Sequence, residues 1–193
     1  LLCALLTGGL SAQPASTRTQ NAYDCATATG LPQSECEALV ALYTVTDGEN
    51  WYTKTGWLTT TTPCTWYGVT CDAGHVTQVS LLSNNLSGAL PPEIGNLTAL
   101  TRLYLWDNAV SALPPEISNL TTLTWLDLES NVLSTLPPEI GNLTALTNLY
   151  LGDNNLTALP PEIGNLAALM SLSLDNNDLT ALPSEIGNLT ALR

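Results

Sequence analysis

The sequence predicts an α/β solenoid, a right-handed horseshoe whose parallel sheet lines the concave face and whose N-terminal end carries a disulfide-stapled helical cap. Three observations predict it. Leucines recur with a fixed period from Leu97 onward. Each period holds one short alternating segment and a Pro-rich turn. A Cys- and Trp-rich segment precedes the first regular period.

Leu97, Leu120, Leu143, Leu166 and Leu189 each open a unit, at intervals of 23 residues. A representative unit, Leu143 to Asn165, reads LTALTNLYLGDNNLTALPPEIGN and contains LxxLxLxxNxL. This resembles the leucine-rich-repeat pattern, in which each repeat is one strand-plus-turn unit stacked on its neighbours. In Leu100-Thr101-Arg102-Leu103-Tyr104-Leu105 the apolar residues alternate with period two, which predicts a short strand. Leu103 and Leu105 then face inward, and Arg102, Tyr104 and Trp106 face outward. Asn108 follows where the chain must turn, and Asn84, Asn131, Asn154 and Asn177 hold the same place in their units. An amide there can bond backbone groups that the bend leaves unpaired, so these five predict a structural ladder. Pro114-Pro115 excludes a central strand and favours an extended approach to a tight helical turn. Val110, Leu113, Ile117 and Leu120 complete the core of that unit. One unit cannot close a core alone, so stacking must bury the leucines.

The unit from Ala73 to Asn96 is one residue longer and contains Leu86-Ser87-Gly88-Ala89-Leu90-Pro91. That LxGxLP form resembles the plant-type extracellular repeat. The later units lack the Gly and resemble the shorter repeats of Ras-group and bacterial leucine-rich proteins.

Ahead of the repeats, Ser34-Glu35-Cys36-Glu37 reads as a capping box opening a helix. Leu39, Val40, Leu42 and Tyr43 follow at helical spacing, and the helix is expected to end near Asp47-Gly48. Then come Trp51, Trp57 and the run Pro63-Cys64-Thr65-Trp66-Tyr67-Gly68-Val69-Thr70-Cys71. The ALxALY helix, the tryptophans and the PCxWxGVxC motif resemble the N-terminal cap of extracellular leucine-rich-repeat proteins. Plant receptor-like kinase ectodomains, polygalacturonase-inhibiting proteins and bacterial secreted leucine-rich-repeat proteins share such features. A solenoid needs a cap because its first core layer would otherwise face water, which makes these tryptophans core residues.

Leu1 to Leu10 is an apolar run followed by small residues, which reads as a signal-peptide remnant over residues 1–12. It is too short for a membrane span. Cys3 falls inside it. Residues 13–33 form a linker and the start of the cap, 34–72 the cap, and 73–193 five full repeats plus a truncated sixth. No Met precedes the apolar run, and Leu189 to Arg193 stops just inside a new unit. The chain is therefore expected to be truncated at both ends, and its last full repeat to expose core residues including Leu172 and Leu174. Cys25, Cys36, Cys64 and Cys71 are an even set in an exported chain and predict disulfides. Of the three pairings, the local one is favoured: Cys25 with Cys36, Cys64 with Cys71. A zinc site is the other reading of these cysteines, but CxxC spacing is missing and His75 is the only His.

The formal charge is −13, from 17 acids against 4 bases. With Lys54 the only Lys, a nucleic-acid partner is excluded. An anionic membrane surface is disfavoured on the same ground, and a membrane would be met only through a missing C-terminal segment. No GxSxG, phosphate loop or HExxH occurs, and neither an enzyme nor a cofactor or metal is expected. Asp127 and Glu129 are a carboxylate pair, but an open face does not exclude water around them. Function is therefore expected on the concave face. One outward column is Gln78, Arg102, Trp125, Asn148, Ser171. The next is Ser80, Tyr104, Asp127, Tyr150, Ser173. The third is Leu82, Trp106, Glu129, Gly152, Asp175, with Asp107 and Asp153 at strand ends. Exposed aromatics among acids suit a protein or peptide ligand, or a glycan. The expected function is an extracellular, secreted recognition scaffold. The resemblance implies as alternatives an inhibitor of a secreted enzyme such as a polysaccharide hydrolase, or an ectodomain fragment of a receptor kinase. Sequons lie at Asn85, Asn96, Asn119, Asn142, Asn155 and Asn188, mostly from the repeated Asn-Leu-Thr.

Overall fold

A computed structural model describes residues 23–193, so the signal-peptide reading of 1–12, with Cys3, lies outside the described residues. Among the described residues a short 3₁₀ turn, Cys25–Thr27, precedes helix α1, Gln33–Val45, and a hairpin of β1, Val69–Asp72, and β2, His75–Ser80, comes later. From there each unit contributes one short strand to a growing sheet: β4, Arg102–Tyr104; β6, Trp125–Asp127; β7, Asn148–Tyr150; and β8, Ser171–Ser173. The sheet order is β1-β2-β4-β6-β7-β8, antiparallel at the first pair and parallel thereafter. A second, two-stranded parallel sheet joins β3, Ser87–Ala89, to β5, Ala109–Ala112. Each unit returns through a 3₁₀ turn that opens behind a proline: Pro92–Asn96, Pro115–Asn119, Pro138–Asn142, Pro161–Asn165 and Ser184–Asn188.

The leucine positions form one continuous core. Leu103, Leu105, Val110, Ile117 and Leu120 are fully buried, as are their counterparts Leu126, Leu128, Leu133, Ile140 and Leu143. The asparagine ladder has the geometry its role requires. Asn131 Oδ1 accepts from the Val110 amide at 2.9 Å, while its Nδ2 donates to Leu105 O at 2.9 Å and Leu128 O at 3.1 Å. Asn108 repeats the pattern one unit before, and Asn154 and Asn177 repeat it one and two units after. Asn84, 1% exposed, instead closes onto the cap, bonding both the amide and the carbonyl of Thr53. A second ladder escapes the leucine pattern: the hydroxyls of Thr101, Thr124 and Thr147 donate to the carbonyls of Thr77, Thr101 and Thr124.

In the cap, Cys25 is bonded to Cys36 and Cys64 to Cys71, the local pairing. Trp51, Trp57 and Trp66 are buried with Tyr43, successive rings about 5 Å apart, and each indole N–H reaches an oxygen nearby. The hairpin is tight where Gly68 passes β2. A methyl group there would sit 2.1 Å from Ser80 O, and the Gly68 φ of +78° is left-handed.

The capping box is not formed. Pro32 precedes α1 and no side chain caps it; its carbonyl takes the Glu35 and Cys36 amides instead. Ser34 lies within the helix, and Glu35, 3% exposed, turns inward to β2. Its carboxylate accepts the Val76 amide at 2.7 Å and pairs with His75 Nδ1 at 2.6 Å. A long-range demand for an acceptor has overridden the local pattern, since the Val76 N–H would otherwise be buried unpaired. The helix also stops at Val45, short of Asp47-Gly48, with the Thr46 hydroxyl donating to Leu42 O.

Burial falls away in the last full unit. Leu172, Leu174, Leu179 and Ile186 are only partly covered, where Leu149, Leu151, Leu156 and Ile163 one unit earlier are fully buried.

Candidate functional site

The parallel register sets the outward residues in rows across the strands. Gln78, Arg102, Trp125, Asn148 and Ser171 are successive partners, as are Ser80, Tyr104, Asp127, Tyr150 and Ser173. The third row continues past the strand ends. The amides of Ser83, Asp107, Ser130 and Asp153 donate to the carbonyls of Trp106, Glu129, Gly152 and Asp175. Ser83, Asp107, Ser130, Asp153 and Asn176 all have left-handed φ, between 46° and 56°. Asp and Asn tolerate that conformation better than most residues, a structural reason for Asp107 and Asp153 that the sequence pattern does not reveal.

Three rings dominate the middle of the face. Trp125 lies 5.9 Å from Tyr104 and 5.3 Å from Tyr150, centroid to centroid, both tilted. The Trp125 Nε1 is shielded from water and has no acceptor. Trp106 stands apart and is 40% exposed, and Arg102 is exposed as well. Asn148 donates to the Tyr150 hydroxyl at 3.2 Å, which orients that ring.

The acids lie beside the rings. Burial pushes the Asp127 carboxyl above the ordinary carboxylate range, against a weaker opposing pull from the Glu129 amide it accepts at 3.2 Å. Glu129 is raised too, first by burial and then by the charges of Asp127, Asp175 and Asp153. Asp175 accepts from Ser173 at 2.6 Å, and Asp153 from Asn176 at 2.8 Å. The ion pairs among the described residues are Lys54–Glu49 and Glu35–His75, both in the cap region, so none of these four acids has a cation partner among them.

A cleft of about 120 Å³ at the foot of α1, lined by Tyr43, Thr44, Asp47, Gly48, Glu49 and Leu58, is the wrong scale for a small-molecule site. No group of three or more metal-ligating side chains comes together among the described residues, and no helix among them is long and apolar enough to cross a membrane. The six sequon asparagines are all exposed, away from the outward rows of the sheet.

Comparison with known proteins agrees with this geometry. Residues 32–72 match the leucine rich repeat N-terminal domain, and residues 116–193 match a leucine-rich repeat region. The chain is a capped leucine-rich-repeat protein. It is 50% identical over 50 residues to the LRR receptor-like serine/threonine-protein kinase FEI 2 of Arabidopsis thaliana, a match covering 25% of this chain and 8% of the kinase. The chain thus spans only a small part of that curated relative. Among solved structures, it resembles the leucine-rich-repeat ectodomain of the receptor kinase SOBIR1 from Arabidopsis thaliana, with TM-score 0.70 and 28% identity, covering 84% of this chain and 90% of that one. It also resembles the plant peptide hormone receptor RGFR1, solved in complex with RGF2, with TM-score 0.55 and 32% identity, covering 67% of this chain and 28% of the receptor.

Proposed function

We propose that this leucine-rich-repeat protein is an extracellular recognition module that binds a peptide or an extended protein segment along its concave face. The observation that carries the reading is the outward aromatic set, Tyr104, Trp125 and Tyr150 on the strands and Trp106 just past β4, beside acids without a cation partner among the described residues. Core packing does not account for side chains on the outward parity, and clustered aromatics with polar neighbours are typical binding hot spots. Short parallel strands at about 4.8 Å spacing fix these groups without needing a ligand to order them. Two disulfides suit an oxidising, extracellular setting. The resemblance to RGFR1, solved with a bound partner, supports a peptide as ligand.

The test is selection from a random linear peptide library against the full chain, followed by affinity measurement. Selected peptides should bind the wild type, and Trp106→Ala and Trp125→Ala should each weaken them by about 2 kcal/mol, roughly 30-fold. Thr144→Ala, on an exposed residue outside the sheet, should change nothing. Failure to enrich any peptide, or peptides that bind both tryptophan variants normally, would contradict the reading.

A further inference from the structure

We propose that Asp127 and Glu129, collared by Tyr104, Trp125 and Tyr150, form a subsite for the guanidinium group of an arginine in the bound peptide. This rests on the concave face being the peptide-binding surface. Tyr104, Asp127 and Tyr150 are consecutive in one row. With strands about 4.8 Å apart, the two tyrosines stand roughly 10 Å from each other. A ring within 6 Å of both must lie between them, and Trp125 does. Its indole therefore sits over the middle strand, β6, whose next outward residue is Asp127. Tyr104 and Tyr150 thus flank Asp127 within its row, and Trp125 precedes it on the same strand.

That arrangement withdraws water from Asp127 and supplies no cation in return. The carboxylate accepts one backbone amide, and neither it nor Glu129 has an ion-pair partner among the described residues. Among these residues two groups of the collar lack partners: the Asp127 carboxylate has no cation beside it, and the Trp125 Nε1 has no acceptor. Native structures leave few shielded polar groups unpaired, so each calls for an explanation. A guanidinium answers the first directly. It is planar, carries five donors in a fork that engages carboxylates in pairs, and stacks on aromatic faces. Glu129 sits one outward position further along, and Asp153 and Asp175 extend the negative field from the neighbouring strands. A lysine ammonium would gain the field but lose the fork and the stacking.

The probe is an acetylated, amidated peptide Gly-Arg-Gly-Arg-Gly, titrated into the ¹⁵N-labelled full chain while the tryptophan indole resonances are followed. Trp125→Phe assigns the reporting signal. The arginine peptide should shift the Trp125 resonance saturably, and the lysine peptide should bind at least fivefold more weakly. The citrulline peptide, isosteric but neutral, should produce no shift. Asp127→Asn should weaken the arginine peptide at least tenfold and Glu129→Gln about threefold, with the Trp51, Trp57 and Trp66 signals unmoved as proof of folding. Equal binding by the citrulline peptide, or an unaltered affinity in a folded Asp127→Asn variant, overturns the subsite. Library-selected peptides that bind the concave tryptophans without needing arginine or Asp127 also overturn it, and leave the peptide-binding reading standing. Peptides insensitive to those tryptophans overturn the reading beneath it.

Discussion

Glu35 shows how one side chain can hold two parts of a fold together. Its buried carboxylate bridges α1 to β2 through Val76 N and His75 Nδ1, so Glu35→Ala strands a buried amide and should cost about 1–3 kcal/mol in denaturant unfolding. Ser34→Ala, which removes no cap, should cost less than about 0.5 kcal/mol. The sequence pattern assigns the larger role to Ser34, because a capping box is a local signal while the need for Glu35 arises forty residues later. The ladder asparagines were legible for the opposite reason: each stands at the bend of its own unit and recurs there in every unit, although its bonds also reach the unit before. Asp127 carries a pH dependence whose sign follows from its raised pKa. Between the ordinary carboxylate range and that raised value, the folded protein holds a proton the unfolded chain has released. The contribution to stability is full below the unfolded value and is lost as pH rises through the folded one. The melting temperature should therefore rise from pH 7 to pH 5, and Asp127→Asn should raise it at pH 7 while shrinking that increment. A lower melting temperature for Asp127→Asn at pH 7 would contradict the desolvation of this carboxyl.

At the scale of elements, the cap depends on short covalent loops and on ring packing. The bridges span 11 and 7 residues, and replacing Cys64 and Cys71 together by Ser should cost about 2–3 kcal/mol. Replacing Cys25 and Cys36 should cost a similar amount, and in both cases the loss should be confined to the cap and the β1–β2 hairpin. Strands β4, β6, β7 and β8 and the 3₁₀ turns were readable because alternation recurs in every unit and paired prolines in all but the last, where Ser184 follows Pro183. The hairpin strand β1 was not, since Val69 to Asp72 lies inside a motif whose cysteines and tryptophan mask its alternation. The small sheet of β3 and β5 was also hidden. Its one sequence mark is Gly88, which the next unit does not repeat, and its partners are fixed only when two units stack.

For the whole molecule, stacking gives each unit the burial its neighbours supply. In the unit from Leu166 to Asn188, Leu172, Leu174 and Ile186 are only partly covered. Its amides should exchange with solvent much faster than those around Leu103 and Leu126, where the core is closed on both sides. Uniform protection along the solenoid of a monomer would show that this end is stabilised in some way the packing does not explain. The outward rows of the sheet were legible in full, since period-two parity and a fixed repeat length set both direction and partners. What the sequence could not give was the closure of Tyr104 and Tyr150 on Trp125, which depends on side-chain torsions in three strands at once. The same exchange experiment, repeated with a library-selected peptide at saturation, tests the central claim most directly. Concave recognition requires added protection at residues 102–107, 125–130, 148–153 and 171–176, with the 3₁₀ turns unchanged. Protection confined to the turns, or to the cap, would contradict it.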